Sequence, residues 1–340
     1  MISNRQKETL KIIIEEYVKT AEPVGSKSIS DRLNVSSATV RNDMAILERE
    51  GYIDKTHSSS GRVPLDKGYK LYVEELMKES EEVFEEKSFE LIDNVFASAI
   101  VEREDAIKKA CALLSEITSY TSLALGPDNS LDTLSEIELV PLRGKNYLMI
   151  VITDSGHIES KNVTFEEEET NIEELKNVVS ILNEVLKGTP LSEVSYRLKY
   201  ITDNKLIQEF MNYRQNIIDN FINAFMQFAE TNYYISGSSN MLVQPEFQDS
   251  MKFKKLLDAF EKRELIKVIK SARNQNVSIK IGSETGIDAL DDTAIVTVPY
   301  VNDKGEKCEI AVIGPTRMNY KKVITLVKYL AKDITKYYKK

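Results

Sequence analysis

The residue types best suited to specific recognition lie in one short segment, residues 37–50. Positions 40, 44 and 47 are apolar, and this i, i+4, i+7 spacing predicts the buried stripe of a helix. The opposite face of that helix carries Ala38, Thr39, Arg41 and Asn42. Arginine can bond guanine O6 and N7, asparagine can bond adenine N6 and N7, and the methyl groups of threonine or alanine can touch thymine. The segment therefore indicates a helix that reads base edges in the DNA major groove.

Residues around this helix are suited to the sugar–phosphate backbone. Ser26 and Lys27 open a preceding short helix and Ser37 opens the reading helix, where N-terminal amides favour phosphate. A serine-rich tip followed by arginine can follow the backbone or enter the minor groove. The predicted DNA-binding residues are Ser26, Lys27, Ser37, Ala38, Thr39, Arg41, Asn42, Ser59, Ser60, Gly61, Arg62 and Lys67. The alternative is a structural module for protein contacts with Arg41 and Asn42 solvated; the combined pattern favours DNA.

Other reactive residues form no catalytic constellation. His57 lies in the serine-rich tip and His157 follows a turn glycine, so no motif places either beside a nucleophile. The Gly-Ser-Glu-Thr-Gly run at 282–286 lacks the Lys-Ser/Thr ending of a phosphate loop and predicts a turn. Two cysteines, Cys111 and Cys308, are too few and too scattered for a zinc site or a disulfide framework. We expect no enzyme activity, no metal and no cofactor.

The elements that must position the reading helix are visible as local signals. A first helix begins with capping-box spacing at Ser3 and Gln6 and ends near Pro23. A second, short helix follows from Ser26, and the third ends at Gly51, where a left-handed cap is wanted. Two short strands at 52–55 and 62–64 then flank the tip. Three helices followed by a hairpin is the winged-helix order, and we assign residues 1–77 to this DNA-binding domain.

The remainder predicts an α+β chain of several domains. Residues 78–104 are a charge-dense helical connector, and 105–124 predict a helix. Strand patterns at 137–141, 147–153, 277–281, 294–301 and 308–313 with a last helix at 320–337 define a second domain, residues 105–165 and 239–340. A helical block at 166–238 interrupts it as an insertion. Its long helix at 203–230 has two apolar stripes and predicts a self-complementary dimer contact through Phe210, Ile217, Phe221, Phe225 and Phe228.

Charge and hydropathy restrict the possible partners. The net charge of −9 argues against nucleic acid at first, but residues 1–73 carry 12 Lys/Arg against 10 Asp/Glu, so the acidity belongs to the rest. Phosphate contacts respond to charge within roughly 8 Å at physiological salt, so the local balance matters. No apolar run approaches the roughly 18 residues of a membrane span, and the polar start at residues 3–8 has no signal-peptide core. We expect a cytoplasmic protein with no membrane contact.

Six sequence blocks resemble one family, the heat-inducible transcription repressors called HrcA. The blocks are PVGS at 23–26, ATVRNDM at 38–44, SGRVP at 60–64 with DKGY at 66–69, QPEF at 244–247, IGSE at 281–284, and GPTRM at 314–318 with Tyr320. They span almost the whole chain in the family's order. A winged helix alone would be unspecific, whereas these blocks together are highly specific.

The resemblance implies a fold and a role. It implies an N-terminal winged helix, a GAF-like domain and an inserted dimerisation domain. It also implies a homodimer that binds an inverted-repeat operator upstream of chaperone operons and represses them until heat shock, with a chaperonin of the GroEL type as a partner. The alternative is a ligand-sensing regulator in which the GAF-like domain, with Tyr147 and Tyr300, lines a small-molecule pocket, although aromatic residues on strands more often belong to the core.

Overall fold

The computed structural model describes residues 2–56, 61–83, 92–93, 103–127, 132–164, 172–191, 193–194, 196–197, 233–261, 264–271, 276–302 and 305–338. Contacts divide the chain into two compact units. The first comprises Met1–Gly126 with Tyr233–Lys340, and the second comprises Pro127–Asn232. None of the helices within the described residues is both long and apolar enough to cross a membrane.

Three helices open the first unit, each with a physical start signal. Helix α1 (Asn4–Thr20) has the predicted capping box, in which Ser3 and Gln6 exchange side chain and backbone hydrogen bonds. Helix α2 (Ser26–Leu33) ends where Asn34 adopts a left-handed φ of 52°. Helix α3 (Ser37–Arg49) begins at Ser36, whose hydroxyl accepts from the Thr39 amide at 3.1 Å. Their inward faces share one core of Leu10, Ile13, Ile14, Ile29, Val40, Met44 and Leu47.

A two-stranded hairpin and a fourth helix complete this N-terminal module. Gly51 ends α3 with a φ of 76°, a conformation that glycine adopts without strain. Strands β1 (Ile53–Lys55) and β2 (Arg62–Pro64) pair antiparallel, with Lys55 opposite Arg62. Helix α4 (Asp66–Val83) follows and buries Tyr69, Val73 and Leu76. The predicted order of three helices followed by a hairpin is confirmed.

A five-stranded antiparallel sheet forms the rest of the first unit. Its order is β7-β3-β10-β9-β8, from β3 (Thr121–Leu125), β7 (Tyr233–Ser236), β8 (Ser278–Ile281), β9 (Thr293–Val301) and β10 (Lys307–Pro315). Helices α5 (Arg103–Thr118) and α9 (Tyr320–Tyr338) contribute to the apolar cluster on one face, which also contains Ile310 and Val312. Helices α7 (Ser250–Glu261) and α8 (Glu264–Lys270) contribute to the other, with Ala311 and Ile313. This alternation along β10 is the two-residue period of a strand buried on both faces.

Within its described residues, the second unit contains a three-stranded antiparallel meander and the long helix α6. Strands β4 (Leu134–Pro141), β5 (Asn146–Thr153) and β6 (Ile158–Thr164) pair in sequence order. Helix α6 (Ile172–Leu186) covers them, and its Leu175, Val179 and Leu182 share a core with Met149 and Val151. The structure thus has the predicted mixture of helices and several sheets.

Some elements differ from the sequence expectation. The helix predicted at 105–124 ends at Thr118, because Ser119 takes a φ of 59° and residues 121–125 form strand β3, which lies between β7 and β10 in the sheet. All five residues of β3 are buried, so the strand has no alternating pattern that would distinguish it from a helix. Strands β6 and β7 and helices α7 and α8 were not predicted, and β7 falls within the expected helical block at 166–238. The expected helix at 203–230, with its five dimer-contact residues, lies outside the described residues.

The division of the chain also differs in position. We expected the insertion at 166–238, whereas contacts group residues from 127 to 232. Among the strands that the structure describes, β4 to β6 form a sheet of their own, and their apolar side chains pack on α6, so contacts group them in the second unit.

Candidate nucleic-acid interface

Helix α3 is anchored by an apolar stripe and by one buried carboxylate. Val40 and Leu47 are fully buried, as the spacing predicted. Asp43, between them, is 1% exposed, and it accepts from Arg5 Nε at 2.7 Å and Nη2 at 3.2 Å. The Gln6 amide adds a contact at 3.5 Å. This network fixes the rotation of α3 against α1 and therefore decides which side chains point outward.

The outward face of α3 presents the residues that were expected to read bases. Ala38, Arg41 and Asn42 are exposed and Thr39 is half-buried. The Thr39 hydroxyl lies 2.8 Å from the Ser36 hydroxyl, so it is partly engaged in the helix cap. The described structure therefore leaves a compact polar face at the N-terminal half of α3, which is the part of a recognition helix that usually contacts base edges.

The start of α2 meets the start of α3 through hydroxyl groups. The Ser26 hydroxyl lies 3.1 Å from the Ser37 hydroxyl and accepts from Arg41 Nε at 3.4 Å. Lys27 is exposed beside them. Four predicted contact residues are thus brought together at two helix N-termini, where backbone amides and the helix dipole favour an anion.

A concavity of about 330 Å³ adjoins this face, and we call it the basic notch. Its lining residues are Ser26, Arg41, Met44, Lys55 and Arg62. Three of the five are cations and none is acidic. Lys55 is exposed at the end of β1 and was missed by sequence reasoning, because nothing in its local sequence indicates that the hairpin brings it beside Arg41.

Arg62 has an internal partner that the sequence did not reveal. Its guanidinium is paired with Glu48 of α3 at 2.7 Å, and its side chain is only 16% exposed. Its backbone also exchanges two hydrogen bonds of 2.9 Å with Val24. Gly61 permits this approach, since a Cβ there would lie 2.7 Å from Pro23 backbone atoms. Arg62 therefore holds the hairpin against α2 and α3 and forms one wall of the notch.

Lys67 lies away from the face of α3 that was expected to read bases. Its ammonium donates to the Glu50 carbonyl at 2.6 Å and sits 4.4 Å from the centre of the Tyr52 ring. Glu50 follows the C-terminal end of α3. At a rise of 1.5 Å per residue, it lies about 13 Å along the helix axis from Arg41. Lys67 thus satisfies a free carbonyl at the end of the helix. Of the remaining predicted contacts, Ser59 and Ser60 lie outside the described residues.

The two tyrosines considered for a ligand pocket belong to separate cores. Tyr147 packs in the cluster of the second unit and Tyr300 in the cluster of the first. Tyr300 is 4% exposed, and burial raises the pKa of its phenol. Each ring is thus enclosed by its own apolar cluster, which matches the ordinary packing role of aromatic residues on strands.

Comparison with known proteins decides the family. Residues 104–324 match the HrcA protein C terminal domain, and residues 9–70 match a helix-turn-helix domain. The heat-inducible transcription repressor HrcA of Acholeplasma laidlawii (strain PG-8A) is 41% identical over 100% of this chain and 98% of its own length. The chain belongs to the HrcA family. The HrcA of Bacillus pumilus (strain SAFR-032) is 37% identical, over 98% of this chain and 97% of its own.

A further HrcA relative agrees with this assignment, and one solved structure shares the fold. The HrcA of Phytoplasma mali (strain AT) is 38% identical over 99% of both chains. A crystal structure described as a hypothetical protein superposes with a TM-score of 0.63 at 23% identity, covering 99% of both chains. That likeness shows a shared fold along the whole chain.

Proposed function

We propose that the chain is a DNA-binding repressor of heat-inducible genes that recognises its target through α3. The observation that carries the proposal is the exposed face of Ala38, Arg41 and Asn42 beside the basic notch, in a chain whose relatives are named heat-inducible transcription repressors. A polar face that can discriminate bases and an adjacent cluster of cations are the two parts that specific duplex binding requires.

In this proposal the residues have distinct roles. Arg41 and Asn42 bond base edges, and Ala38 and Thr39 contact thymine methyl groups or exclude other bases. Ser26, Lys27 and Ser37 hold a phosphate at the helix N-termini, and Lys55 holds one at the notch. Ser59, Ser60 and Gly61 belong to the tip that approaches the backbone. Arg62 and Lys67 stabilise the module through intramolecular contacts and do not bind DNA, since Arg62 is already paired with Glu48 and Lys67 with the Glu50 carbonyl.

The wider architecture is part of the same proposal. We infer a winged helix at 1–77, a GAF-like domain, and an inserted domain through which two chains pair. A homodimer presents two copies of α3 and therefore suits an inverted-repeat operator. The family resemblance supports a chaperonin of the GroEL type as the partner that raises the fraction of active repressor, and a cytoplasmic location.

The test begins by selecting duplexes with the wild-type protein from a random library, because the operator sequence is unknown. Binding to a selected duplex and to a scrambled one is then measured by fluorescence anisotropy across a salt series, with and without chaperonin. Selective binding that chaperonin increases supports the proposal. Equal, weak and steeply salt-dependent binding to both duplexes under all conditions would contradict the proposal. Such binding would indicate only non-specific attraction between a basic patch and the phosphates.

Single substitutions separate the two kinds of contact. We expect Asn42→Ala and Arg41→Ala to lower the preference for the selected duplex by about 1–3 kcal/mol. Lys55→Ala should weaken both duplexes alike and reduce the salt slope by about one unit. Lys321→Ala removes the same charge from an exposed position on α9 and serves as the control. Equal losses on both duplexes for Asn42→Ala would remove its base-reading role.

A further inference from the structure

Four of the sequence blocks that carry the family resemblance meet at one place in the first unit. We call the part of the first unit that contains the five-stranded sheet the sheet domain. The start of α4, with Asp66 and Tyr69, lies against residues 282–284 and Tyr320 of this domain. The end of α1 lies beside Arg317, which is bonded to Glu246. We call this contact between the N-terminal module and the sheet domain the junction. None of its residues belongs to the DNA-facing surface, so the proposed base reading does not explain them.

The first component of the junction is a largely buried ion pair. Arg317 Nε donates to Glu246 at 2.6 Å, and the two side chains are 11% and 18% exposed. Arg317 Nη2 also bonds the Gln244 side chain at 3.2 Å, and Nη1 reaches the Val18 carbonyl of α1 at 3.5 Å. Glu246 and Gln244 hold the guanidinium in one orientation, and its third nitrogen, Nη1, is directed at the N-terminal module. A planar guanidinium with several fixed donors suits such a role better than an ammonium.

The second component is a close approach of α4 to a 3₁₀ segment at Gly282–Thr285. Asp66 accepts from the Ser283 amide at 3.4 Å, and Lys70 pairs with Glu284. Gly282 has a φ of 53°, and a Cβ on it would lie 2.1 Å from the Asp66 carboxylate. Only a residue without a side chain leaves room for the carboxylate at this distance.

The third component is aromatic. The rings of Tyr69 and Tyr320 lie 6.1 Å apart between centroids and are 2% and 1% exposed. The Tyr320 hydroxyl donates to the Thr316 carbonyl at 2.6 Å, whereas the buried Tyr69 hydroxyl has no hydrogen-bond partner. A buried hydroxyl without a partner carries an uncompensated desolvation cost. The surrounding contacts therefore hold the Tyr69 ring in place without help from its polar atom.

We propose that Arg317, Asp66 and Gly282 are positioning residues, which fix the direction of α3 relative to the sheet domain and thereby set which half-site spacing the protein accepts. The proposal rests on the proposed function. In a dimer, the second half-site is bound at an effective concentration that is high only when the second α3 is already held at the matching position. A loosened junction spreads α3 over many directions, so affinity for the paired site falls while each module still binds a single half-site.

Two neighbouring glycines provide a matched test. Gly282→Ala and Gly286→Ala both place a side chain at positive φ, 53° and 71°, in the same turn. Only Gly282→Ala drives a methyl group into Asp66, because nothing lies within 4 Å of a Cβ at Gly286. We expect Gly286→Ala to behave like the wild type. Gly282→Ala should keep half-site affinity within about twofold, lose about tenfold or more on the selected inverted repeat, and bind repeats of altered spacing almost equally.

A second pair of variants covers the case in which Gly282→Ala does not fold. Arg317→Met removes the bridge to Val18, and Lys252→Met removes the same charge from an ion pair with Asp292 whose side chains are 55% and 44% exposed. Arg317→Met should broaden the spacing preference, and Lys252→Met should leave it unchanged.

The possible outcomes distinguish failure of the positioning role from failure of the proposed DNA-binding function. Wild-type protein that prefers no selected duplex over random DNA would refute the proposed function. Selective wild-type binding with unchanged spacing preference in the folded variants would refute the positioning role alone. Loss of half-site and inverted-repeat affinity to the same degree would also refute it, because that result indicates general destabilisation.

Discussion

The buried carboxylate of Asp43 permits a quantitative prediction for the module that carries α3. Arg5→Met keeps the aliphatic stem of the arginine and removes the two bonds to Asp43, at 2.7 Å and 3.2 Å. The carboxylate, 1% exposed, would retain only the Gln6 amide at 3.5 Å. Stranding a buried charge costs about 3–5 kcal/mol. Arg5 itself is 51% exposed, so water can reach part of the site, and we expect about 2 kcal/mol.

The neutral variants distinguish a stranded charge from a lost contact. Asp43→Asn retains the shape and one acceptor for the Arg5 guanidinium but removes the negative charge, and it should cost about 1 kcal/mol. The double variant Arg5→Met/Asp43→Asn strands no charge and should be more stable than Arg5→Met alone. A gain in stability when Asp43→Asn is added to Arg5→Met would indicate that the cost of Arg5→Met comes from a stranded charge.

Hydrogen exchange of the amides in α1 and α3 is the suitable assay, because the chain contains two units and one global unfolding curve would mix them. The free energy of opening should fall in both helices for Arg5→Met and recover partly in the double variant. Costs that simply add, or an Arg5→Met cost below about 0.5 kcal/mol, would refute the reasoning. Operator affinity should fall with Arg5→Met, since α3 loses the contact that fixes its rotation.

Three further predictions follow from single contacts. Lys67→Met should lower the free energy of unfolding by about 0.5–1.5 kcal/mol, because the bond to Glu50 and the contact with the Tyr52 ring are lost. The salt slope of DNA binding should stay unchanged. A reduced slope would indicate that Lys67 contacts a phosphate. Gly61→Ala should displace the hairpin from Pro23, cost about 1–3 kcal/mol, and weaken binding to every duplex in an anisotropy titration; wild-type values would show that the approach is not required. Burial raises the pKa of the Asp66 carboxyl, so the folded chain favours its protonated form and loses stability as pH rises from the ordinary aspartic acid pKa through the raised one. The melting temperature of Asp66→Asn relative to wild type should rise across that window and then level off, and a difference independent of pH would contradict this.

Local signals in the sequence sufficed for the N-terminal module. The capping box at Ser3 and the left-handed residue at Gly51 were correctly predicted, because each depends on close neighbours along the chain. The same holds for the exposed and buried faces of α3. Strand β3 was wrongly predicted as helix because it is buried on both sides and has no alternation.

The chemical environment of the predicted site could not be read in this way. The sequence identified Arg62 and Lys67 as cations near the reading helix but not that Glu48 and the Glu50 carbonyl bond them. Lys55 enters the basic notch only because the hairpin folds back beside α3. A charged residue has the same local signal whether its partner is solvent, protein or DNA.

The sequence by itself thus determined which segment forms helix α3, which residues face outward from it, and the family to which the chain belongs. The tertiary structure decided what holds those residues in place: Arg5 meets Asp43 across 38 positions, Arg317 meets Glu246 across 71, and Asp66 meets Ser283 across 217. The physical reason is the distance along the chain over which each kind of interaction acts. Caps and helical faces are fixed by neighbours along the chain, whereas ion pairs and close approaches exist only after distant segments have packed together.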